Sequence, residues 1–163
     1  MATTTRTVVR TRTEVYVGGK IAYAMQVILT ELGLGAASRE KNWQGVEEAM
    51  HIWLGEGSLN DVTLEIYSGG DQLVAAFEVA IDYSAGEPTM RHDAELSRLA
   101  ARKVAMQTSG TLSFRILMGT ADWRTPVTGW TRTSAADASG LRKRTIGELA
   151  RGPGITSELS YRV

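Results

Sequence analysis

Residues 5–17, TRTVVRTRTEVYV, alternate with period two. Thr7, Val9, Thr11, Thr13 and Val15 fall on one side, and Arg6, Arg10, Arg12, Glu14 and Tyr16 on the other. That alternation and the β-branched content predict a strand with one solvated face, broken by Gly18-Gly19. From Lys20 to Leu34 the period becomes helical, with Ile21, Met25, Ile28 and Leu32 on one stripe and Gly33 and Gly35 as a stop. Ser38 is the predicted N-cap of a second helix carrying Trp43, Val46, Met50 and Trp53 at three- and four-residue spacing, ended by Gly55 and Gly57. Val62, Leu64 and Ile66, then Leu73, Ala75, Phe77, Val79 and Ile81, alternate on either side of the turn SGGD at 68–71, the pattern of a β-hairpin. A third helix is predicted over residues 91–107, with Leu96, Leu99, Ala100 and Val104 inward. A further strand follows at 111–119, with Leu112, Phe114, Ile116 and Met118 on one face. Helices segregated from a hairpin, without strict alternation, indicate an α+β fold with helices on one face of a mainly antiparallel sheet.

Residues 121–163 fit this scheme poorly. GWTRTSAADASGLRKRTIGELA (129–150) is rich in Ser, Thr, Ala and Gly, yet it starts at a tryptophan, carries the triplet Arg142-Lys143-Arg144 and returns to apolar Ile146 and Leu149. Net charge over the whole chain is zero, which argues against a nucleic-acid or membrane partner recognised by bulk electrostatics. The charge is unevenly spread, however. Residues 121–163 hold seven basic and four acidic side chains, and residues 1–120 eleven and fourteen. A basic tail on an acidic body is expected to lie against that body or an acidic partner.

The 163 residues suit one domain and contain no apolar run near the ~20 residues of a membrane span. No secretory h-region opens the chain and cysteine is absent, so a cytoplasmic protein without disulfides or thiolate chemistry is expected. Candidate chemistry is sparse. His51 and His92 are the only histidines, which speaks against a zinc site, and a packing role is the stronger reading for each. GGK at 18–20 lacks the spacing of a phosphate loop, RGPG at 151–154 reads as a turn, and no G-x-S-x-G is present. No cofactor is indicated. Binding is a better class of answer than catalysis.

The strings WLGEGSLNDVTLEIYSGGDQLVAAFEVAIDYS (53–84) and GWTRTSAADASGLRKRTIGELA resemble bacterial HORMA-domain proteins, specifically those encoded beside cGAS/DncV-like nucleotidyltransferases in anti-phage (CBASS) operons. The resemblance covers nearly the whole chain and implies three helices packed on an antiparallel sheet, followed by a mobile C-terminal safety belt. Residues 1–120 would then be the core and 121–163 the belt, wrapped around a short closure-motif peptide. The implied peptide-binding residues are Leu112, Phe114, Ile116 and Met118 on the strand, with Trp123, Trp130, Ile146, Leu149 and Tyr161, together with Leu159, as belt anchors. The peptide would add as a strand beside residues 111–119. In this family the closed form is understood to activate the nucleotidyltransferase, which makes a cyclic nucleotide messenger, and an AAA+ remodelling ATPase reopens it.

Only about four residues precede the first predicted strand, and the chain stops soon after Tyr161, so the closure motif is expected from another chain. Some operons encode two HORMA proteins, which makes a second such protein a further candidate partner. Two other readings stand beside the switch: a constitutive assembly subunit with a permanently docked tail, and a small hydrolase or transferase using His51 or His92.

Overall fold

The computed structural model describes the backbone of residues 2–83 and 89–163 and the side chains of residues 13–83 and 89–163. Four helices, α1 (Ala2–Glu31), α2 (Gly35–Glu40), α3 (Trp43–Glu56) and α4 (Ala94–Ala105), accompany six strands. These are β1 (Leu59–Ser68), β2 (Gln72–Asp82), β3 (Arg91–His92), β4 (Leu112–Thr120), β5 (Lys143–Gly152) and β6 (Ile155–Arg162). They form one sheet in the order β3-β5-β6-β2-β1-β4, every pair antiparallel. The fold is α+β, as the pattern predicted.

The opening segment is a correction. Residues 5–17 belong to the 30-residue α1 and form no strand. Thr13 and Val17 are fully buried, which both periods allow, but Val15 between them is 51% exposed. A strand would put Val15 on the buried side; a helix turns it away. Thr13, Val17, Ile21, Met25 and Ile28 continue as one buried stripe, and helical burial overrides the β-branched propensity. Gly18-Gly19 therefore breaks nothing. A Cβ on Gly18 would stand 3.0 Å from the His51 ring and 3.5 Å from Leu54, so this glycine lets α3 approach α1 closely.

The second helix starts later than expected. Its N-cap is Asn42, whose side chain accepts from the Gly45 N–H at 3.1 Å. Ser38 instead lies buried in α2, where its carbonyl accepts the Trp43 indole N–H at 2.8 Å. The helix runs past Gly55 to Glu56 and stops at Gly57, whose φ of 76° is the left-handed C-terminal turn.

Val62, Leu64, Ile66, Ala75, Phe77, Val79 and Ile116 form the helix-facing layer of β1, β2 and β4. Each fully buried Leu, Ile or Phe there contributes about 1.5–3 kcal/mol. The opposite face of β1 carries Asp61, Thr63, Glu65 and Tyr67. The turn predicted at 68–71 joins β1 to β2.

The tail resolves into two parts. Residues 143–162 make the hairpin β5–β6, which turns at Pro153-Gly154, pairs through β6 with β2 and packs on α1 and α4. Residues 121–142 form an irregular strap joining β4, at one edge of the sheet, to this hairpin at the other end. Among the described residues no helix is long and apolar enough to cross a membrane.

Candidate functional site

β4 pairs with β1 on one side only, and its other edge carries no strand among the described residues. An unpaired edge exposes a row of backbone donors and acceptors, which makes it a template for an added strand. What lies beside it is the strap.

The strap is fastened at two points, both by carboxylates. At the first, Glu56 at the end of α3 accepts the Thr125 N–H at 2.7 Å and the Thr125 hydroxyl at 2.6 Å. Trp53 donates its indole N–H to the Thr125 carbonyl at 2.7 Å, and Ala121 N–H bonds the Ser58 carbonyl at 2.8 Å. The hydrogen bonds from Thr125 lower the Glu56 pKa, against a smaller opposing effect of burial.

At the second, Glu65 on the outer face of β1 is 2% exposed. It accepts Tyr67 Oη at 2.6 Å, Arg115 Nε at 2.5 Å and the strap's Ala136 N–H at 2.8 Å. Arg115 also donates to the Ser134 carbonyl at 2.8 Å. Burial pushes the Glu65 carboxyl upward, but the bonds from Tyr67, Arg115 and Ala136 and the arginine's charge together hold it below the usual glutamate value. Asp61, further along the same face beside Gly119, goes the other way: burial and then the charge of Glu78 raise it.

Between the fasteners, residues 126–133 arch past β4. A groove of about 460 Å³ separates them, lined by Ile116–Thr120 on the strand side, by Gly129–Thr133 on the arch side, and by Trp53 and Lys41. Trp130 stands edge-on to Trp53 at 5.9 Å, so the arch is propped by an aromatic contact as well as tied at its ends. Gly129, with φ of 90°, supplies the left-handed bend. The volume suits a short stretch of one extended chain and excludes a folded partner.

The structure divides the residues predicted to bind peptide. Ile116, Met118 and Trp130 line the groove, whereas Leu112 and Phe114 lie at the other end of β4. Ile146, Leu149 and Tyr161, with Leu159, belong to the hairpin; three strands separate β5 from β4, so these side chains dock the tail and do not reach the groove. Trp123 is 65% exposed and anchors nothing in this arrangement.

Sequence reasoning did not single out Glu56, Glu65, Arg115 or Thr125. Alternation puts Glu65 on the polar face, but nothing local says that residues 134–136 cover it. His51 and His92 sit in the helix-side packing, away from the groove, each with a buried Nε2 that has no hydrogen-bond partner among the described residues. Burial, and then the charge of Lys20, lower His92. Among the described residues no group of three or more His, Asp or Glu could hold a metal ion.

Comparison with known proteins identifies a family by sequence and a fold by structure. The family described as bacterial HORMA domain 2 matches residues 2–163. No curated protein matches the chain in sequence. Among solved structures, a chain of the Mitotic Checkpoint Complex superposes with a TM-score of 0.68 at 10% identity, covering 90% of this chain and 95% of that one. C. elegans HTP-1 bound to HTP-3 motif-1 gives 0.59 at 12%, covering 90% and 87%. The E. coli MS115-1 CdnC:HORMA-deltaN complex gives 0.52 at 12%, covering 92% and 86%.

Proposed function

The chain belongs to the bacterial HORMA domain 2 family, and from that premise we propose that it is a peptide-binding signalling switch and not an enzyme. The observation that carries this reading is the groove between the free edge of β4 and an arch fastened at both ends. A peptide seated there adds a strand to the sheet, so backbone hydrogen bonds supply affinity and the Ile116, Met118, Trp53 and Trp130 side chains supply selectivity. Residues 121–163 act as the belt, and the arrangement described is its docked form. Release requires the arch to lift, which slows dissociation well beyond what a single added strand would give.

The partners follow from the same reading. The fold neighbour from E. coli MS115-1 is a CdnC:HORMA-deltaN complex and C. elegans HTP-1 is bound to HTP-3 motif-1; at 12% identity each supports the fold of this chain and only suggests its partners. The loaded form would bind and activate a cGAS/DncV-like nucleotidyltransferase in anti-phage defence, and an AAA+ ATPase would reopen it.

Selecting random peptides on the full-length protein tests the core of this proposal. A shared motif that dissociates slowly from the unaltered protein and at least tenfold faster from Trp130→Ala supports it. Absence of any enriched motif ends it. A constitutive subunit would instead show the same amide-exchange protection of residues 121–136 with and without peptide.

A further inference from the structure

The charges that line the groove are unbalanced. Lys41, Arg124 and Arg132 face a single acid, Asp122. Arg132 and Asp122 approach to 3.9 Å, and both are largely exposed, so that pair is weak and screened. Arg124 and Lys41 then remain, and among the described residues no carboxylate lies within ion-pairing distance of either. Arg124 is the more telling, because it is half-buried. Three other half-buried arginines have a carboxylate, Arg98 with Glu95, Arg115 with Glu65 and Arg151 with Glu148, whereas Arg162, like Arg124, has none among the described residues. Partial desolvation without a partner is unfavourable, and a ligand carboxylate relieves it.

The apolar wall sets the second half of the chemistry. Ile116 and Met118 are two residues apart, on the helix-facing side of β4, with Trp53 and Trp130 completing the wall. An added strand places every second side chain on that side. We propose that the ligand of this groove is an acidic peptide: two apolar residues spaced i, i+2 against Ile116, Met118 and the tryptophan pair, with at least one Asp or Glu within or flanking them to meet Arg124 and Lys41. This rests on the groove being a peptide site and adds which peptides it accepts. Basic segments are rejected by the same two cations.

The test uses a random dodecapeptide library on the full-length protein, then synthetic copies of an enriched peptide with its acids changed to Asn or Gln, or to Lys. Enriched sequences carrying the i, i+2 apolar pair with Asp or Glu, affinity falling about tenfold on neutralisation and further with Lys, and weakening as salt rises, are the expected result. Arg124→Glu combined with Lys41→Glu should reverse the preference, favouring the Lys peptide. Enrichment of neutral or basic motifs, or indifference to the peptide's charge on the unaltered protein, overturns the acidic class while leaving the peptide site intact. No enrichment removes the site and the proposal together.

Discussion

The two halves of the C-terminal segment are held by different physics. In the hairpin β5–β6, Leu149, Ile155 and Leu159 are at most 1% exposed, Tyr161 packs against Phe77 with ring centroids 6.5 Å apart, and seven residue pairs join β6 to β2. In the strap, only Val127 and Trp130 pack on the core, and neither is fully buried. Its fastening depends on two carboxylates and a handful of hydrogen bonds. A buried apolar side chain contributes roughly 1.5–3 kcal/mol and a hydrogen bond to a charged group about the same, so the difference lies in number. The hairpin buries several such side chains and also pairs along β2, whereas the strap has two carboxylate fasteners. The strap can therefore lift at modest cost while the hairpin stays in the sheet. A lightly fastened strap and a firmly packed hairpin are thereby separated within about forty residues of chain.

The largest expected effect comes from the hairpin. Leu159→Ala removes a fully buried side chain at the β6–β2 pairing and should cost about 2–5 kcal/mol, read as a lower midpoint in denaturant. Unfolding should stay a single transition. A separate early loss of the hairpin alone would break the comparison, because it would make the hairpin as detachable as the strap.

Glu65→Ala is the corresponding cut in the strap. It deprives Tyr67, Arg115 and the Ala136 N–H of their common acceptor. The expected cost is about 1–3 kcal/mol, concentrated on residues 134–136, where amide exchange should quicken while β6 keeps its protection. Equal loosening of both regions would mean that they form one cooperative unit.

Acid should separate the same two regions. The folded pKa of Glu65 lies below its unfolded value of about 4.3. Its stabilising contribution is therefore complete above that value and is lost only as pH falls through the depressed one. Strap protection, taken relative to the intrinsic exchange rate at each pH, should stay constant down through mildly acid solution and fall steeply below the ordinary glutamate range, and Glu65→Ala should abolish that step. Asp61 has the opposite sign: its raised pKa makes its charge a cost at neutral pH, relieved as pH falls through it. A strap that loosens near pH 6 would point away from Glu65.

Which parts of this were legible follows from where the signals reside. The β1–β2 hairpin was readable because alternation and SGGD agree within twenty residues. The start of α1 was misread because Thr, Val and Arg alternate there, and only the exposure of Val15 beside buried Thr13 and Val17 separates the two periods. The β5–β6 hairpin was hidden for a different reason. β5 is irregular between Thr145 and Gly147 and again between Glu148 and Ala150, so its alternation is scrambled. Ser157, buried at 1% exposure, disguises β6 further, because its hydroxyl is satisfied by the Ala150 backbone at 2.6 and 3.0 Å. The resemblance to HORMA proteins supplied the family, but not the fasteners of the strap. Glu56 and Glu65 meet partners 69 and 71 residues away, and no local pattern encodes such contacts.

The smallest expected effect isolates the other fastener. Glu56→Gln keeps one acceptor oxygen for the Thr125 N–H, removes the charge and turns the oxygen facing the Thr125 hydroxyl into an NH2 donor, at a site open to solvent, so stability should fall by about 1 kcal/mol or less. Its consequence should appear in kinetics instead. Thr125 is the near end of the arch, and the Trp53 indole still holds its carbonyl at 2.7 Å. The Glu56 variant should therefore release a bound peptide only a few times faster than the unaltered protein, whereas Glu65→Ala, which frees the far end, should release it at least tenfold faster. Equal acceleration by both would mean that the arch opens as a rigid flap. The inequality expected here would mean that it peels from the Glu65 end and swings on Thr125.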